Sequence, residues 1–450
     1  MSDTICAIST SLGVGAISII KVSGKDSVSI VNKIFSGNIK NAKSHTIHYG
    51  YIKDNSEIID EVLVSVMLAP KTFTREDVVE INCHGGIATT NKILELLLIN
   101  GCRMAEPGEF TKRAFLNGRI DLMEAEAVMD LINSKTEEVR KIAIAGLNGS
   151  GSKLISNLRK DLINIISNIE VNIDYPEYND IYEVTIKDIK EKVYYFNEKL
   201  TNIIKEYESG KILVDGIKTV IVGRPNVGKS SILNRLLNDN KAIVTDIPGT
   251  TRDIIEGTIS FDGILLNIID TAGIRKTDDV VEKIGVEKSF SKIDEADLVL
   301  IILNNNEELT SDDLEIINKI KDKPSIIVIN KNDLNSRIDV SMLNNMEIVY
   351  TNTIDIDGIE SLKQKIKQMF NLEEIKKKDY NYITNTRQIA KIKECINRIR
   401  DVNDALNNNM PLDIIEIDLK EIWNILGEII GESYSEELLD ELFSKFCVGK

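Results

Sequence analysis

Positive charge is what this sequence has too little of: Lys and Arg number 55 against 71 Asp and Glu, a net charge of -16. A surface of that sign repels nucleic acid, so composition excludes a chain that grips RNA over its whole face. If RNA is a substrate, a local basic patch or a more basic partner must hold it. No run of about eighteen apolar residues occurs, which excludes a membrane-spanning helix. The start, Met1-Ser2-Asp3-Thr4, lacks the basic and apolar regions of a signal peptide. Cysteine is sparse too. Cys6, Cys83, Cys102, Cys395 and Cys447 are odd in number and far apart, which fits reduced thiols better than a disulfide framework or a zinc site. The expectation is a cytoplasmic protein with no membrane contact.

What is present is ordinary globular material. The 450 residues are 42% hydrophobic and 28% charged, enough for two or three domains with large cores. Residues 1–120 read as mixed α/β. Ile17–Val22, Thr46–Ile52, Val62–Leu68 and Val78–Ile81 are β-rich runs, Asp54-Asn55 marks a turn, and Ala88–Ile99 has helical spacing. From Leu122 the pattern becomes long helices. Leu154, Leu158, Leu162, Ile165, Ile169 and Ile173 recur at steps of three and four and read as bundle core. That stretch stops at Asp174-Tyr175-Pro176, where proline removes a donor.

At Ile217 the period changes. Ile217–Val222, Leu265–Ile269, Leu298–Ile302, Ser325–Ile329 and Ile348–Tyr350 are apolar strands alternating with helices, the signature of a doubly wound parallel sheet. Ile359–Phe370 and the charged run Glu373–Lys378 close it. Helices then return, the last with a capping box expected at Ser433-x-x-Glu436. The architecture expected is multidomain α/β plus α: an N-terminal α/β domain (1–120) and a helical domain (121–210 and 376–450) interrupted by an inserted α/β domain (211–375).

The inserted domain carries the chemistry. Gly223-Arg224-Pro225-Asn226-Val227-Gly228-Lys229-Ser230 matches the phosphate loop, with a strand before it and a helix, from Ser231, after it. Glycines let backbone N–H groups curl around phosphate, and the helix start adds its dipole. Lys229 should reach the β- and γ-phosphates, and the Ser230 hydroxyl should ligate Mg²⁺. Asp270-Thr271-Ala272-Gly273 follows a strand; Asp270 can hold Mg²⁺ through water and Gly273 can meet the γ-phosphate. Asn330-Lys331-Asn332-Asp333 follows another. Its carboxylate can accept both N1–H and the exocyclic N2–H₂ of guanine, a pairing adenine cannot offer, so GTP is selected over ATP. The three motifs stand in the order of a Ras-like P-loop GTPase.

Asp246-Ile247-Pro248-Gly249-Thr250-Thr251-Arg252-Asp253 resembles the first switch of translation-factor-related GTPases, with Thr251 as a Mg²⁺ ligand. Glu80–Gly86, Arg113–Leu122 and the tail Phe443–Lys450, ending in Cys447-x-Gly449-Lys450, narrow the match. Together they resemble the MnmE (TrmE) family of tRNA-modification GTPases over essentially the whole chain. Val448 stands where that family usually has isoleucine.

The resemblance implies an enzyme that acts as a homodimer. With a flavin-dependent partner it forms a heterotetramer that installs an aminomethyl-type group at carbon 5 of wobble uridine 34 of certain tRNAs. It implies a folate, 5-formyl- or methylenetetrahydrofolate, as one-carbon donor, contacted by Lys21, Glu80 and Arg119, with Lys450 associated. Lys21 stands where arginine is common, keeping the charge but losing the fork geometry. The loop Leu12-Gly13-Val14-Gly15 lacks an arginine often found there. No glutamine follows Gly273; Ile274 and Arg275 do, and the family's catalytic glutamate falls on Glu282. A K⁺ ion stands in for an arginine finger, with Asn226, Thr245, Ile247 and Thr250 as its ligands, and its binding implies that two GTPase domains close face to face. Cys447 is expected to take part in the modification reaction. His84 is either a satisfied turn histidine or part of the folate site, Arg252 and Arg275 read as switch-region ion-pair residues, and the other four cysteines read as structural. The competing reading is a ribosome-assembly GTPase binding rRNA, which would want a basic appendage after the GTPase domain; the stretch from Asp413 is acidic instead.

Overall fold

The computed structural model describes residues 3–174, 179–239, 242–243, 257–261, 263–269, 293–320, 323–343, 346–355, 357–377 and 385–450. It divides into two compact units: Met1–Met129, Gly146–Asn197 and Ala390–Lys450 form one, Asp130–Ala145 and Glu198–Ile389 the other.

The first unit opens with a six-stranded sheet in the order β3-β4-β5-β2-β1-β6. Its strands are β1 (Ile5–Ile8), β2 (Gly15–Ser23), β3 (Thr46–Asp54), β4 (Glu57–Met67), β5 (Val78–Gly85) and β6 (Arg103–Met104). Neighbours run antiparallel except β1 with β6. Alternation sends Ile20, Val22, Val64, Val66 and Ile81 to one face, where α1 (Ser27–Ile34) and α2 (Ile87–Ile99) bury them with Ile30, Ile93 and Leu97. The opposite face carries Ile17, Ile47, Tyr49 and Leu63, which stay exposed. Tyr49 lies directly across from Leu63, and Leu63 from Asn82. The β-rich runs are therefore strands as expected, but β4 begins five residues earlier and β5 runs on through His84.

Helices α3 (Glu109–Leu116), α4 (Leu122–Asn133) and α5 (Glu137–Leu147) follow, then α6 (Ser150–Asp174) and α7 (Asn179–Asp215). The expected bundle face of α6 holds in its middle: Leu158, Leu162, Ile165 and Ile169 are buried, whereas Leu154 is half-buried and Ile173 is exposed. The apolar face of α6 packs along α13 (Leu412–Ile430). Arg159 is held in that seam, its guanidinium 3.8 Å from the Trp423 ring and paired with Glu432. The final helix, α14 (Glu436–Ser444), packs Leu439 and Phe443, with Phe446 just beyond its end, against Phe115, Leu122 and Ala125. Its cap corrects the expected box. Ser435, not Ser433, accepts from the Leu438 N–H, two residues further on.

The second unit holds a seven-stranded sheet in the order β13-β12-β11-β7-β10-β9-β8. From β13 (Glu347–Tyr350) through β12 (Ser325–Asn330), β11 (Leu298–Asn304) and β7 (Ile217–Val222) to β10 (Ile264–Ile269) the strands are parallel. Two strands the periodicity did not reveal, β9 (Gly257–Phe261) and the edge strand β8 (Ala242–Ile243), turn antiparallel. Both faces are covered, which is why the central strands are apolar without alternation. Ile221, Leu300 and Val328 face a core with α8 (Lys229–Asp239) and α10 (Glu360–Met369). Val220, Ile301 and Ile327 face another with α9 (Ser311–Lys319). Ile142 of α5 packs against the first of these cores. The charged run after α10 is helical as α11 (Leu372–Lys377), and α12 (Thr386–Asn407) leads back to the first unit's residues.

Candidate functional site

The phosphate loop leaves the carboxyl end of β7, and α8 starts at Lys229. In an open parallel sheet that is where ligands bind. Gly223 and Gly228 have φ values of +145° and +102°, and Asn226 sits at +61°, so the backbone makes the sharp bends an anion cradle needs. Neither glycine tolerates a side chain. A Cβ on Gly223 would lie 2.4 Å from the Ile302 carbonyl oxygen, and one on Gly228 2.1 Å from Asn330 Nδ2.

The guanine-reading strand end is strapped to this loop. Asn330, 1% exposed at the end of β12, donates from Nδ2 to the Val227 carbonyl at 3.0 Å and accepts on Oδ1 from Thr351 at 3.3 Å. Lys331 Nζ donates to the Asn226 carbonyl at 3.1 Å. The Asn332 N–H bonds the Thr351 carbonyl at 3.1 Å, which fixes the turn presenting Asp333 to solvent. Lys229 Nζ donates at 2.7 Å to both the Gly223 and Arg224 carbonyls, which holds its ammonium across the mouth of the loop. Ser230 and Ser231 lie exposed in the first turn of α8, and Val227 is buried beneath it.

Thr351 was invisible to motif reading. It follows β13, and the rule that ligands gather at carboxyl ends of parallel strands is the signal that could have pointed to it. Thr245, Asp246, Ile247, Pro248, Gly249, Thr250, Thr251, Arg252, Asp270, Thr271, Ala272, Gly273, Arg275 and Glu282 lie outside the described residues. A cavity of about 440 Å³ in this unit lies at the other end of the sheet, beside Ile217, Asp297 and Pro324. It is not part of the nucleotide site.

In the first unit, Lys21 and Glu80 are directly opposite on β2 and β5, Nζ to Oε1 3.8 Å. Lys21 also lies over the Phe73 and Phe110 rings at 5.8 and 5.4 Å, and Arg119 stacks on Phe73 at 4.8 Å while donating to the Phe73 carbonyl at 3.1 Å. Burial pushes the Lys21 ammonium below the usual lysine range; Glu80 opposes that shift and the charge of Lys450 adds to it. The tail that delivers Lys450 is seated closely. Gly449 (φ +89°) leaves only 2.5 Å between a would-be Cβ and the Ile8 carbonyl oxygen, Ser9 Oγ donates to the Gly449 carbonyl, and Gly108 N–H donates to the Cys447 carbonyl. Four positions picked from sequence thus meet in one place, around two phenylalanines that sequence reading missed. Beneath them, Arg113 (1% exposed) binds Glu109, Glu76 and Asp3 at 2.9–3.1 Å and fixes α3 to the loop bearing Phe73.

Cys447 is exposed, whereas Cys6, Cys83, Cys102 and Cys395 are buried. His84 is paired with Asp60, Nδ1 to Oδ1 2.7 Å, and that hydrogen bond raises its pKa.

A glycine-bent loop between strand and helix, cross-linked to an Asn-Lys-x-Asp strand end two strands away, defines the class: a P-loop GTPase domain, here set between the two parts of a helical domain. Comparison with known families gives the particular group. The model described as MnmE helical domain matches residues 122–447, and that of the GTP-binding protein TrmE N-terminus matches residues 4–119. The tRNA modification GTPase MnmE of Streptococcus thermophilus is 51% identical over 450 residues, covering 100% of this chain and 98% of that protein. That of Streptococcus mutans is 50% identical over 450 residues, with 100% and 99% covered. That of Staphylococcus aureus is 48% identical over 456 residues, with the same coverage. The chain belongs to this family of tRNA-modification GTPases, enzymes that hydrolyse GTP in the service of tRNA modification.

Proposed function

We propose that this chain uses GTP hydrolysis to gate delivery of a folate-borne one-carbon unit to carbon 5 of wobble uridine 34, as a homodimer joined to a flavin-dependent partner. The observation that carries the nucleotide half is the pair of straps from Asn330 and Lys331 to Val227 and Asn226. They hold the phosphate-binding and base-reading elements as one piece. In this reading the backbone of residues 223–228 and Lys229 bind the phosphates, and Asp333 reads guanine. Ser230 and Thr251 hold Mg²⁺; Asn226, Thr245, Ile247 and Thr250 hold K⁺. Both ions supply positive charge where phosphate charge develops. Glu282 orients the attacking water.

For the folate half, the support is the donor set. Lys21 and Arg119 lie against two aromatic rings, with the carboxylate of Glu80 and the charge of Lys450 beside Lys21, which fits a ligand with an aromatic head and anionic tail. A reduced folate supplies the one-carbon unit when bound there, and the exposed Cys447 lies on the same seated tail. Homodimerisation draws support from the open sheet face bearing Ile17, Ile47, Tyr49 and Leu63, an apolar surface rimmed by polar groups. A cytoplasmic site of action accords with the buried free thiols.

The test is GTP turnover in KCl against NaCl at equal ionic strength, with mass spectrometry of bulk tRNA nucleosides from a deletion strain. Activation by K⁺ together with loss of the wobble modification is the expected result. Unchanged nucleosides would remove the tRNA assignment, and equal rates in both salts would remove the potassium mechanism.

A further inference from the structure

We propose that Arg224 is a positioning residue of the GTPase reaction, a bolt that fixes the phosphate loop to the first turn of α9. The inference rests on reading Gly223–Ser230 as the phosphate loop. Arg224 points its side chain away from the cradle. Its Nε reaches the two Asp313 oxygens at 2.9 and 3.0 Å, and Nη2 reaches Glu307 Oε2 at 3.1 Å. Asp313 is 1% exposed and is the N3 residue of a capping box, accepting from the Thr310 N–H and hydroxyl, each at 3.0 Å. Glu307 is held by Asn304 Nδ2 at 2.5 Å, at the end of β11. The guanidinium therefore grips two carboxylates whose own positions are fixed by the helix cap and the strand end.

An ordinary ion pair between two solvated side chains would contribute little. This pair differs because one carboxylate is buried and the planar fork spans both acids. It has two consequences for the loop. The Arg224 carbonyl, one of the two acceptors of Lys229 Nζ, is held still. The negative charges of Asp313 and Glu307 are also partly neutralised beside a cradle meant for a polyanion. With Gly223 pressed on Ile302, and Asn226 and Val227 strapped to Lys331 and Asn330, the loop is fastened to a different element almost residue by residue.

The experiment measures binding of a fluorescent GDP and steady-state GTP turnover in the full chain. Arg224→Ala should weaken GDP binding about tenfold and raise KM for GTP to match, with kcat changed far less. Arg224→Lys, which keeps charge but not the fork, should recover part of the loss. Arg224→Ala combined with Glu307→Gln should be no worse than Arg224→Ala alone. GDP affinity within twofold of the parent in Arg224→Ala overturns the inference, as does a loss that tracks a lowered melting temperature and is not eased by lysine. Lys229→Ala separates the two levels. If it too binds GDP normally, the phosphate-loop reading fails; if it alone loses binding, only the role of Arg224 fails.

Discussion

At the scale of single residues, the contacts that decide the sites join positions far apart in the chain. Gly228 meets Asn330 across about a hundred residues, so Gly228→Ala faces both a left-handed backbone and a 2.1 Å approach. Strain of about 1–3 kcal/mol from the backbone alone, with the clash added, should cost GDP affinity at least tenfold in an equilibrium titration. Lys21 makes the opposite kind of prediction. Its depressed pKa means the unfolded chain holds more protons between the depressed and the ordinary lysine value, so in that window stability rises with pH. Below it, the buried charge works against folding. Lys21→Met should therefore leave the melting temperature at neutral pH unchanged or slightly higher while folate binding falls, measured by calorimetry on both counts. A fall in stability with folate affinity intact would remove Lys21 from the site. The motif letters themselves were legible in sequence, because phosphate chemistry demands those residue types at fixed spacing. Arg224's grip on Asp313, and Phe73 and Phe110 around Lys21, were not, since such contacts leave no periodic trace.

At the scale of elements, the sequence was most readable where periodicity is strong, in α6, α10 and the apolar parallel strands. It failed where one residue type serves two positions. Ser433 and Ser435 both precede an acidic, leucine-bearing stretch, and the choice fell to Ser435 because its side chain meets the N–H three residues on. Ser435→Ala should cost about 1 kcal/mol of stability, visible in a urea titration. Strands β8 and β9, outward of β10, were missed because they are short. Helix α14 is what anchors the C-terminal tail. Phe443 is 2% exposed and packs on α3 and α4 residues, so Phe443→Ala should destabilise by about 3–5 kcal/mol. Tail function should be lost before GTP turnover is, which parallel assays of modification and hydrolysis would read. Equal losses in both assays would contradict an anchoring role confined to the tail.

At the scale of the whole molecule, the parent should be dimeric through the open face of the N-terminal sheet. Leu63→Asp places a charge at the centre of that face, directly across from Tyr49, where a partner would bury it. Light scattering should then report half the parent mass with the circular dichroism spectrum unchanged. A variant that keeps the parent mass would move the dimer contact elsewhere.

Trp423 is the chain's one tryptophan, and it lies in the α6–α13 seam with Arg159 against its ring. Selective excitation of indole emission is thus a spectroscopic probe of the first compact unit alone. As that seam opens, the guanidinium leaves the ring and the emission should shift to the red, while the GTPase unit melts without an indole signal. A fluorescence curve therefore follows the first unit alone, while a calorimetric trace of the same sample sums the melting of both.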